Sequence, residues 1–179
     1  GEKFEQKLRN PHGNGLSYLF AIDWSMDSYQ QYGLEYVGEK GSIYTFNYRK
    51  FDSDLEFNQK EFQTDGSFYQ LNLESLPTAE IKNIYSIKFQ DNEYNINNDA
   101  QNQRYLTPVY NLIYDSNFKF EIELSRSFSL NDNFNDFNIL KLNLNKEYKI
   151  SDNSRVVADF KGGLSSDDTP FNYQFTAGD

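Results

Sequence analysis

The chain of 179 residues has no cysteine, one histidine and few prolines. Without cysteine it can form no disulfide, no thiolate metal site and no cysteine nucleophile. The single histidine, His12, has no second imidazole with which to share a zinc ion and no Ser–acid pair placed around it, so we interpret it as a solvated side chain. These absences predict a protein that is not an enzyme and that needs no cofactor and no metal.

Positive charge is also scarce. The chain has 17 Lys and Arg against 27 Asp and Glu, which gives a net charge of −10 and a pI of about 4.6. A nucleic-acid surface needs clustered basic residues, whereas here they are scattered singly. We therefore expect no nucleic-acid partner.

Long apolar runs are missing as well. A transmembrane helix needs a run of about 18 apolar residues, and the sequence contains none of that length. The first residues, GEKFEQKLRN, are polar and lack the apolar region of a signal peptide. Any contact with a membrane would therefore have to be made by strands.

Aromatic residues, in contrast, are abundant. They make up 17% of a chain whose mean hydropathy is −0.80, with 14 Tyr and 16 Phe. Disordered chains are poor in aromatics, so the low hydropathy does not indicate disorder. The rings must be buried or anchored in an ordered structure.

Apolar and polar residues alternate through most of the sequence, as in the stretch from Phe118 to Phe128. A period of two is the pattern of a β-strand with one apolar face and one polar face. The pattern predicts an all-β fold, an antiparallel up-and-down meander of about eleven long strands. The predicted strands are 16–24, 29–38, 42–51, 54–63, 67–75, 81–91, 102–114, 118–128, 137–147, 154–162 and 170–177.

The domain organisation follows from these strands. Residues 1–15, which include the sequence NPHGNG, are predicted to be a linker that follows an upstream domain. Residues 16–179 are predicted to form one β-domain, and the resemblance given below implies that it is part of an outer-membrane β-barrel. Turns are expected at Gly38, Thr64, Asp115 and Ser151, where turn-forming residues cluster.

Two features favour a membrane-spanning sheet. Most predicted strands have roughly 9–11 residues, the length a tilted transmembrane strand needs, whereas strands of soluble proteins average about 5–6. Rings also tend to lie near strand ends, as expected for aromatic girdles at a membrane interface. The predicted interface aromatics are Trp24, Tyr29, Tyr69, Phe128 and Tyr148.

Periodicity alone leaves a second interpretation open. A soluble antiparallel sheet also alternates apolar and polar residues, so the chain could be a soluble β-barrel or β-sandwich that binds an apolar ligand or a partner protein. In a wide barrel the polar positions would line a hydrated lumen. These positions include Gln70, Asn72 and Glu74, then Glu121 and Glu123, then Lys141, Asn143 and Asn145.

The most specific signal is the C-terminal stretch RVVADFKGGLSSDDTPFNYQFTAGD, taken with NILKLNLNKEYKISDNS before it. Together they resemble the barrel of the outer-membrane assembly and two-partner-secretion superfamily, which includes BamA-like surface antigens and the barrels of patatin-type autotransporters. The matching residues are Asp168, Pro170 and Phe171, followed by Phe175, Ala177, Gly178 and Asp179.

The resemblance implies a location in the outer membrane of a Gram-negative bacterium and a role in protein secretion or outer-membrane protein insertion. It implies outer-membrane lipid as a partner and further barrel strands after Asp179. It also implies POTRA-type modules or a patatin-like lipase domain before Gly1. The first predicted strand, Leu16–Trp24, would form one side of the seam at which such barrels close.

Three further patterns receive plainer interpretations. Residues Asn131–Asn138 are rich in Asn and Asp, but Asp136 stands where a calcium loop needs glycine, so turn chemistry explains the run. Asp52, Asp54 and Glu56 share a predicted strand face, and a surface turn explains them better than a pair of catalytic acids. Pro108 lies in a predicted strand and cannot donate a backbone hydrogen bond, which predicts a local bulge or gap.

Overall fold

A computed structural model describes residues 3–9, 13, 15–23, 28–38, 41–57, 60–96, 99–116, 118–151 and 154–170. These residues form ten strands that pair in chain order in one antiparallel sheet. The all-β meander is therefore confirmed. The strands are β1 (Lys3–Leu8), β2 (Leu16–Asp23), β3 (Ser28–Val37), β4 (Ile43–Phe57), β5 (Lys60–Ser75), β6 (Ile81–Ile96), β7 (Asp99–Asp115), β8 (Lys119–Ser129), β9 (Phe137–Ser151) and β10 (Ser154–Ser165).

Within the described residues, no helix has the length and apolar character needed to cross a membrane.

The two ends of the sheet differ in how the strands are connected. At one end, only two residues separate β4 from β5 and β6 from β7, whereas the segment 130–136 separates β8 from β9. At the other end, the connection into β2 depends on Gly15, whose φ is +82°. A Cβ on this residue would lie 2.7 Å from the Val37 carbonyl oxygen, and the Gly15 carbonyl accepts a hydrogen bond from the Val37 N–H. Glycine is thus required there both by conformation and by space.

The structure corrects the predicted strand boundaries in two regions. Strand β1 lies within the predicted linker 1–15, so β2 (Leu16–Asp23) is an interior strand paired on both sides rather than the first strand of the sheet. The three strands predicted between residues 42 and 75 are two long ones, β4 and β5. The Thr64–Gly66 segment, predicted as a turn, lies inside β5 and pairs with β4 and β6.

The sheet is open. Among the described residues, β1 pairs only with β2, and β10 pairs only with β9. Ten strands in a single layer therefore expose two edges and two faces, and closure into a barrel is not present in the structure. Every residue of β10 except Gly162 is exposed.

The continuous register divides the strand residues between two faces. A register row is a line of residues that lie opposite each other on successive strands. One such row on the polar face consists of Ser17, Glu35, Thr45, Asn72, Ser86, Val109, Ser125 and Ile139. The apolar face carries the neighbouring residues in each strand, such as Tyr44 and Phe46 in β4. A residue's face is fixed by this register because the side-chain period of a strand is two.

Burial differs between the two faces. All buried strand residues in the described part of the chain lie on the polar face, where some are polar, such as Ser17, Ser86 and Thr107, and others are apolar, such as Tyr105 and Phe137. The large apolar side chains that are exposed in strands lie on the apolar face, apart from Val37 and Val157. A soluble one-layer sheet would be expected to cover its apolar side. Here that side is uncovered.

The largest buried side chains form a small cluster on the polar face. Tyr105 and Phe137 are 0% and 1% exposed, and their ring centroids are 5.1 Å apart. Phe134, in the segment between β8 and β9, packs against both. Hydrogen bonds hold this segment in place: Leu130 N–H donates to the Arg104 carbonyl, and Asn131 Oδ1 accepts from the Arg104 N–H.

We expect the substitution Phe137→Ala to lower the free energy of unfolding by about 3–5 kcal/mol, because it leaves a cavity between Tyr105 and Ile139. The matched control is Phe160→Ala on the apolar face, where the ring is 57% exposed and the loss should be less than about 1 kcal/mol. Urea titration in a neutral detergent measures both. Equal losses would contradict the position of the core.

Candidate functional site

The apolar face contains a continuous row of rings that crosses the sheet. Successive members lie directly opposite each other in the register, and neighbouring ring centroids from Phe20 to Phe89 are 4.8–5.9 Å apart. We call it the aromatic row; it consists of Phe20, Tyr32, Tyr48, Tyr69, Phe89, Leu106 and Phe128. Cross-strand aromatic pairs at this spacing stabilise a sheet and its register.

A sharp change of polarity borders the aromatic row. From β3 to β7 the next register row on the same face is polar and consists of Gln30, Lys50, Ser67, Asp91 and Arg104. Arg104 Nε lies 3.1 Å from Asp91 Oδ2 directly across β6 and β7. The aromatic row is therefore the border between an apolar band and a charged zone.

Beyond this border the hairpins β4–β5 and β6–β7 continue as a four-stranded extension. Strand β4 runs nine residues past Tyr48 to Phe57, and β6 runs seven residues past Phe89 to Ile96. Segments 51–66 and 91–103 of this extension contain eight carboxylates and one lysine. These two segments thus carry a net charge of −7, out of −10 for the whole chain, at one end of the sheet.

On its other side, the aromatic row is followed by two apolar rows with a groove between them. The groove crosses the strands from β2 to β10 and has a volume of about 1280 Å³. One wall contains Leu34, Phe46, Leu71, Ile87 and Pro108; the other contains Tyr36, Tyr44, Leu73, Tyr85, Tyr110, Leu124, Leu140 and Leu164. Among the described residues that line this transverse groove, Arg126 alone is charged.

The apolar band runs obliquely across the sheet. On β4 its three apolar positions are centred on Phe46, and on β9 they are centred on Leu142, between Asn138 and Lys146. The register rows through these two centres cross β6 at Ile87 and Asn83, four residues apart. From β4 to β9, about 24 Å across the sheet, the band thus shifts by about 14 Å along the strands. The strands are therefore inclined by about 30° to the direction perpendicular to the band.

The polar face carries a network of paired side chains. Lys141 Nζ lies 3.2 Å from Glu123 Oε1, and Asn111 Nδ2 donates to Glu121 at 2.9 Å. On the neighbouring strands, Gln70 donates to Asn72, and Asn72 donates to Thr45. The polar residues expected from the sequence to share one face therefore do so, and two pairs of them, Gln70–Asn72 and Glu123–Lys141, are in contact.

Pro108 interrupts the pairing of β7 with β8. The ladder passes from Leu106–Phe128 directly to Val109–Ser125, so Thr107, Pro108, Arg126 and Ser127 form no ladder pair across this seam. Pro108 keeps its register with Ile87 on the other side. The local gap predicted from Pro108 is present. A side-chain contact partly replaces the missing bonds: Thr107 Oγ1 and Ser127 Oγ are 2.8 Å apart and buried.

The predicted interface aromatics have different outcomes. Tyr69 and Phe128 lie in the aromatic row and are 40% and 37% exposed. Tyr148 is also exposed on the apolar face, with Lys146 Nζ 5.0 Å above its ring. Tyr29 lies in β3 opposite Asp23 and Phe51, and its side chain is outside the described part of the structure. Trp24 and His12 lie outside the described residues.

The residues of the family motif end the described chain. The Asp168 carboxylate accepts a hydrogen bond from Asn135 Nδ2 at 3.1 Å, and Pro170 follows the buried Thr169. This turn is tied to β9, because Ser166 N–H donates to the Asn138 carbonyl and Asn138 N–H donates to Ser166 Oγ. Phe171, Phe175, Ala177, Gly178 and Asp179 lie outside the described residues.

The patterns that received plainer interpretations form no chemical centre in the described structure. The described part of the Asn131–Asn138 run connects β8 to β9, where Asp136 Oδ1 accepts from the Ser129 N–H. Asp52 lies in β4 opposite Asp65, beyond the aromatic row. No group of three or more potential metal ligands occurs among the described residues.

Sequence reasoning missed the features that define this face. Phe20, Tyr32, Tyr48 and Phe89 were assigned to strands, but their alignment in one row depends on the register of five strands. Arg126 was not singled out either. Its position in the alternation could have identified it, because it falls where an apolar residue is expected in the alternating stretch after Phe118.

A comparison of the chain with protein-family models gave no match, and a comparison with curated proteins gave none either.

The gap at Pro108 generates a prediction about the Thr107–Ser127 contact. Thr107→Val should lower the free energy of unfolding by about 1–2 kcal/mol, because it leaves the buried Ser127 hydroxyl without this partner. The double variant Thr107→Val/Ser127→Ala should lose less than the sum of the two single variants. Urea titration of the four proteins gives the coupling. Additive losses would show that the two hydroxyls do not interact.

Proposed function

We propose that the chain is part of an outer-membrane β-barrel whose apolar face contacts lipid and whose polar face lines a hydrated lumen. In this proposal the open edges at β1 and β10 pair with further strands, so that the backbone groups in the hydrocarbon are all satisfied. The following observations support it.

The main support for the proposal is that the apolar face is exposed, whereas the buried strand residues lie on the polar face. Exposed apolar surface costs about 25 cal/mol per Å² in water, and a monomeric soluble protein rarely exposes a contiguous apolar patch larger than a few hundred Å². Here nine strands contribute to one uncovered apolar groove. Lipid would cover such a surface along its whole length, whereas the paired Lys141–Glu123 and Asn111–Glu121 side chains on the other face suit contact with water.

The shape of the band gives further support. Strands of outer-membrane barrels are tilted by about 35–45°, and their apolar band is about 25 Å tall. The band found here requires an inclination of about 30°. On β7 it extends from Leu106 to Tyr114 without a charged residue on that face, about 27 Å along the strand and about 23 Å along the membrane normal at that angle. The aromatic row then lies where an interfacial girdle is expected.

The more specific assignment rests on the resemblance of residues 138–179 to the BamA-like and two-partner-secretion superfamily. We propose on this basis that the parent protein secretes polypeptide across, or inserts it into, the outer membrane. POTRA-type modules or a patatin-like domain upstream would distinguish between the subfamilies. The chain itself is proposed to have no hydrolytic activity.

The test is a pair of arginine substitutions at adjacent positions on opposite faces. Leu71 lies on the apolar face and is 57% exposed, and Gln70 lies on the polar face. Leu71→Arg should destabilise the chain folded in phosphatidylcholine vesicles by about 2–4 kcal/mol, since the charge would enter hydrocarbon. Gln70→Arg should change stability by less than about 1 kcal/mol, because it faces water.

Urea titration of vesicle-bound protein measures both variants, and flotation on a density gradient measures vesicle binding. Equal effects of the two substitutions would contradict the lipid-facing assignment. A chain that remained monomeric in water and did not float with vesicles would favour the second interpretation, a soluble β-protein that binds an apolar ligand or a partner protein.

A further inference from the structure

We propose that Arg126 and the transverse groove form a binding site for a phosphate-bearing lipid, with the phosphate at the Arg126 guanidinium and an acyl chain in the groove. The inference rests on the proposed function, because it assumes that the apolar face contacts lipid. It goes further by assigning one head-group position and one lipid class on that face.

Arg126 is placed to receive an anion. Its side chain is 58% exposed on the apolar face, and its guanidinium carbon lies 4.9 Å above the centre of the Phe128 ring. The Nη2 atom lies 3.9 Å from Asp136 Oδ2, which is longer than a hydrogen bond. This ion pair is weak and solvent-exposed. The planar guanidinium can therefore present a pair of N–H groups to a phosphate, the geometry in which arginine binds that group best.

The groove supplies the complementary apolar surface. From Arg126 on β8 it passes Pro108 and Ile87 and reaches Phe46 on β4, a path of about 19 Å at the usual strand spacing. Half of the hydrocarbon thickness of a bilayer is about 15 Å, so the groove can take the length of one acyl chain. Polar residues gather at the Arg126 end, where Asn138, Ser165 and Ser166 also line the groove.

The slope of the apolar band orients the lipid correctly. The Arg126–Asn138 register pair lies close to the border of the band, since on β9 the apolar positions begin only at Leu140 and on β8 only Phe128 follows Arg126 on this face. At β4 the same groove wall contains Phe46, the centre of the band. A lipid along the groove would thus have its phosphate at the interface and its tail directed into the hydrocarbon.

Charge complementarity selects a phosphate-bearing lipid over a neutral one. Arg126 is the only charged residue among the described residues that line the groove, and its ion pair with Asp136 is long and solvent-exposed. A phosphate can accept hydrogen bonds from the remaining guanidinium N–H groups, whereas a neutral lipid offers no charge to pair with them.

The experiment uses the full chain in dodecyl maltoside micelles, with bound lipid counted by native mass spectrometry. The probes are palmitoyl lysophosphatidic acid and monopalmitoylglycerol, which have the same tail and differ in the phosphate. We expect one lysophosphatidic acid per chain, bound at least tenfold more tightly than monopalmitoylglycerol. Arg126→Gln should lower its affinity about tenfold and leave the affinity for monopalmitoylglycerol unchanged.

Two further variants serve as controls. Arg104→Gln removes an arginine from the same face outside the groove, where it is paired with Asp91, and should change the affinity less than twofold. Ile87→Glu places a negative charge in the groove and should lower the affinity about tenfold. Circular dichroism of each variant establishes that it is folded.

The outcomes distinguish the inference from the proposed function. Equal binding of the two lipids, or an Arg126→Gln variant that binds as the parent chain does, would overturn the site. If inorganic phosphate competed as strongly as lysophosphatidic acid, Arg126 would be a simple anion site and the groove would be excluded. These results would leave vesicle insertion unaffected, whereas a chain that failed to insert into vesicles would overturn the proposed function itself.

Discussion

The antiparallel register is the constraint on which the rest of the structure depends. The nine pairs of neighbouring strands keep the same parity, apart from one irregularity between Ser154 and Arg155 at the start of β10, so side chains stay sorted between two faces across the sheet. A slip of one residue in any pair would exchange the two faces beyond it. The aromatic row, the charged row beside it and the transverse groove are all lines of constant register. The row of rings also resists a slip, because Tyr32, Tyr48 and Tyr69 stack only when their strands are aligned.

The two faces depend on different sources of stability. On the polar face, small side chains such as Ser86 and Thr107 are buried between larger neighbours, and ion pairs and amide hydrogen bonds join the strands. The apolar face has cross-strand contacts but no covering layer among the described residues. In the function proposed above, lipid would supply the missing layer. The surroundings would then stabilise this face as a core does in a soluble protein.

Much of this arrangement could be predicted from the sequence, because alternation fixes which residues share a face within one strand. The stretch around Glu121 and Glu123 was assigned correctly for that reason. Strand boundaries were less predictable. The Thr64–Gly66 segment has the composition of a turn, yet it pairs on both sides inside β5, where its neighbours in β4 and β6 determine its conformation. Strand β1 was missed because six residues between polar segments give little periodicity.

Features that depend on several strands at once could not be predicted. The alternation of β8 places Arg126 on the apolar face, but its position at the end of a groove depends on the register with β7 and β9. The oblique course of the apolar band likewise becomes visible only when β4 and β9 are compared through the strands between them. The local alternation therefore predicted which face each residue occupies. The groove and the oblique band depend on pairing between strands that are distant in the sequence.

The four-stranded extension beyond the aromatic row makes the distribution of charge asymmetric between the two ends of the sheet. Eight carboxylates and one lysine in segments 51–66 and 91–103 place a charge of −7 at one end, while the five connections at the opposite end, 9–15, 38–42, 76–80, 116–118 and 152–153, contain three carboxylates and two basic residues. Moving ionised carboxylates through hydrocarbon costs several kcal/mol each. In the outer-membrane location proposed above, a bilayer would therefore admit this sheet in one orientation, with the weakly charged connections leading and the acidic hairpins remaining on the side from which it enters.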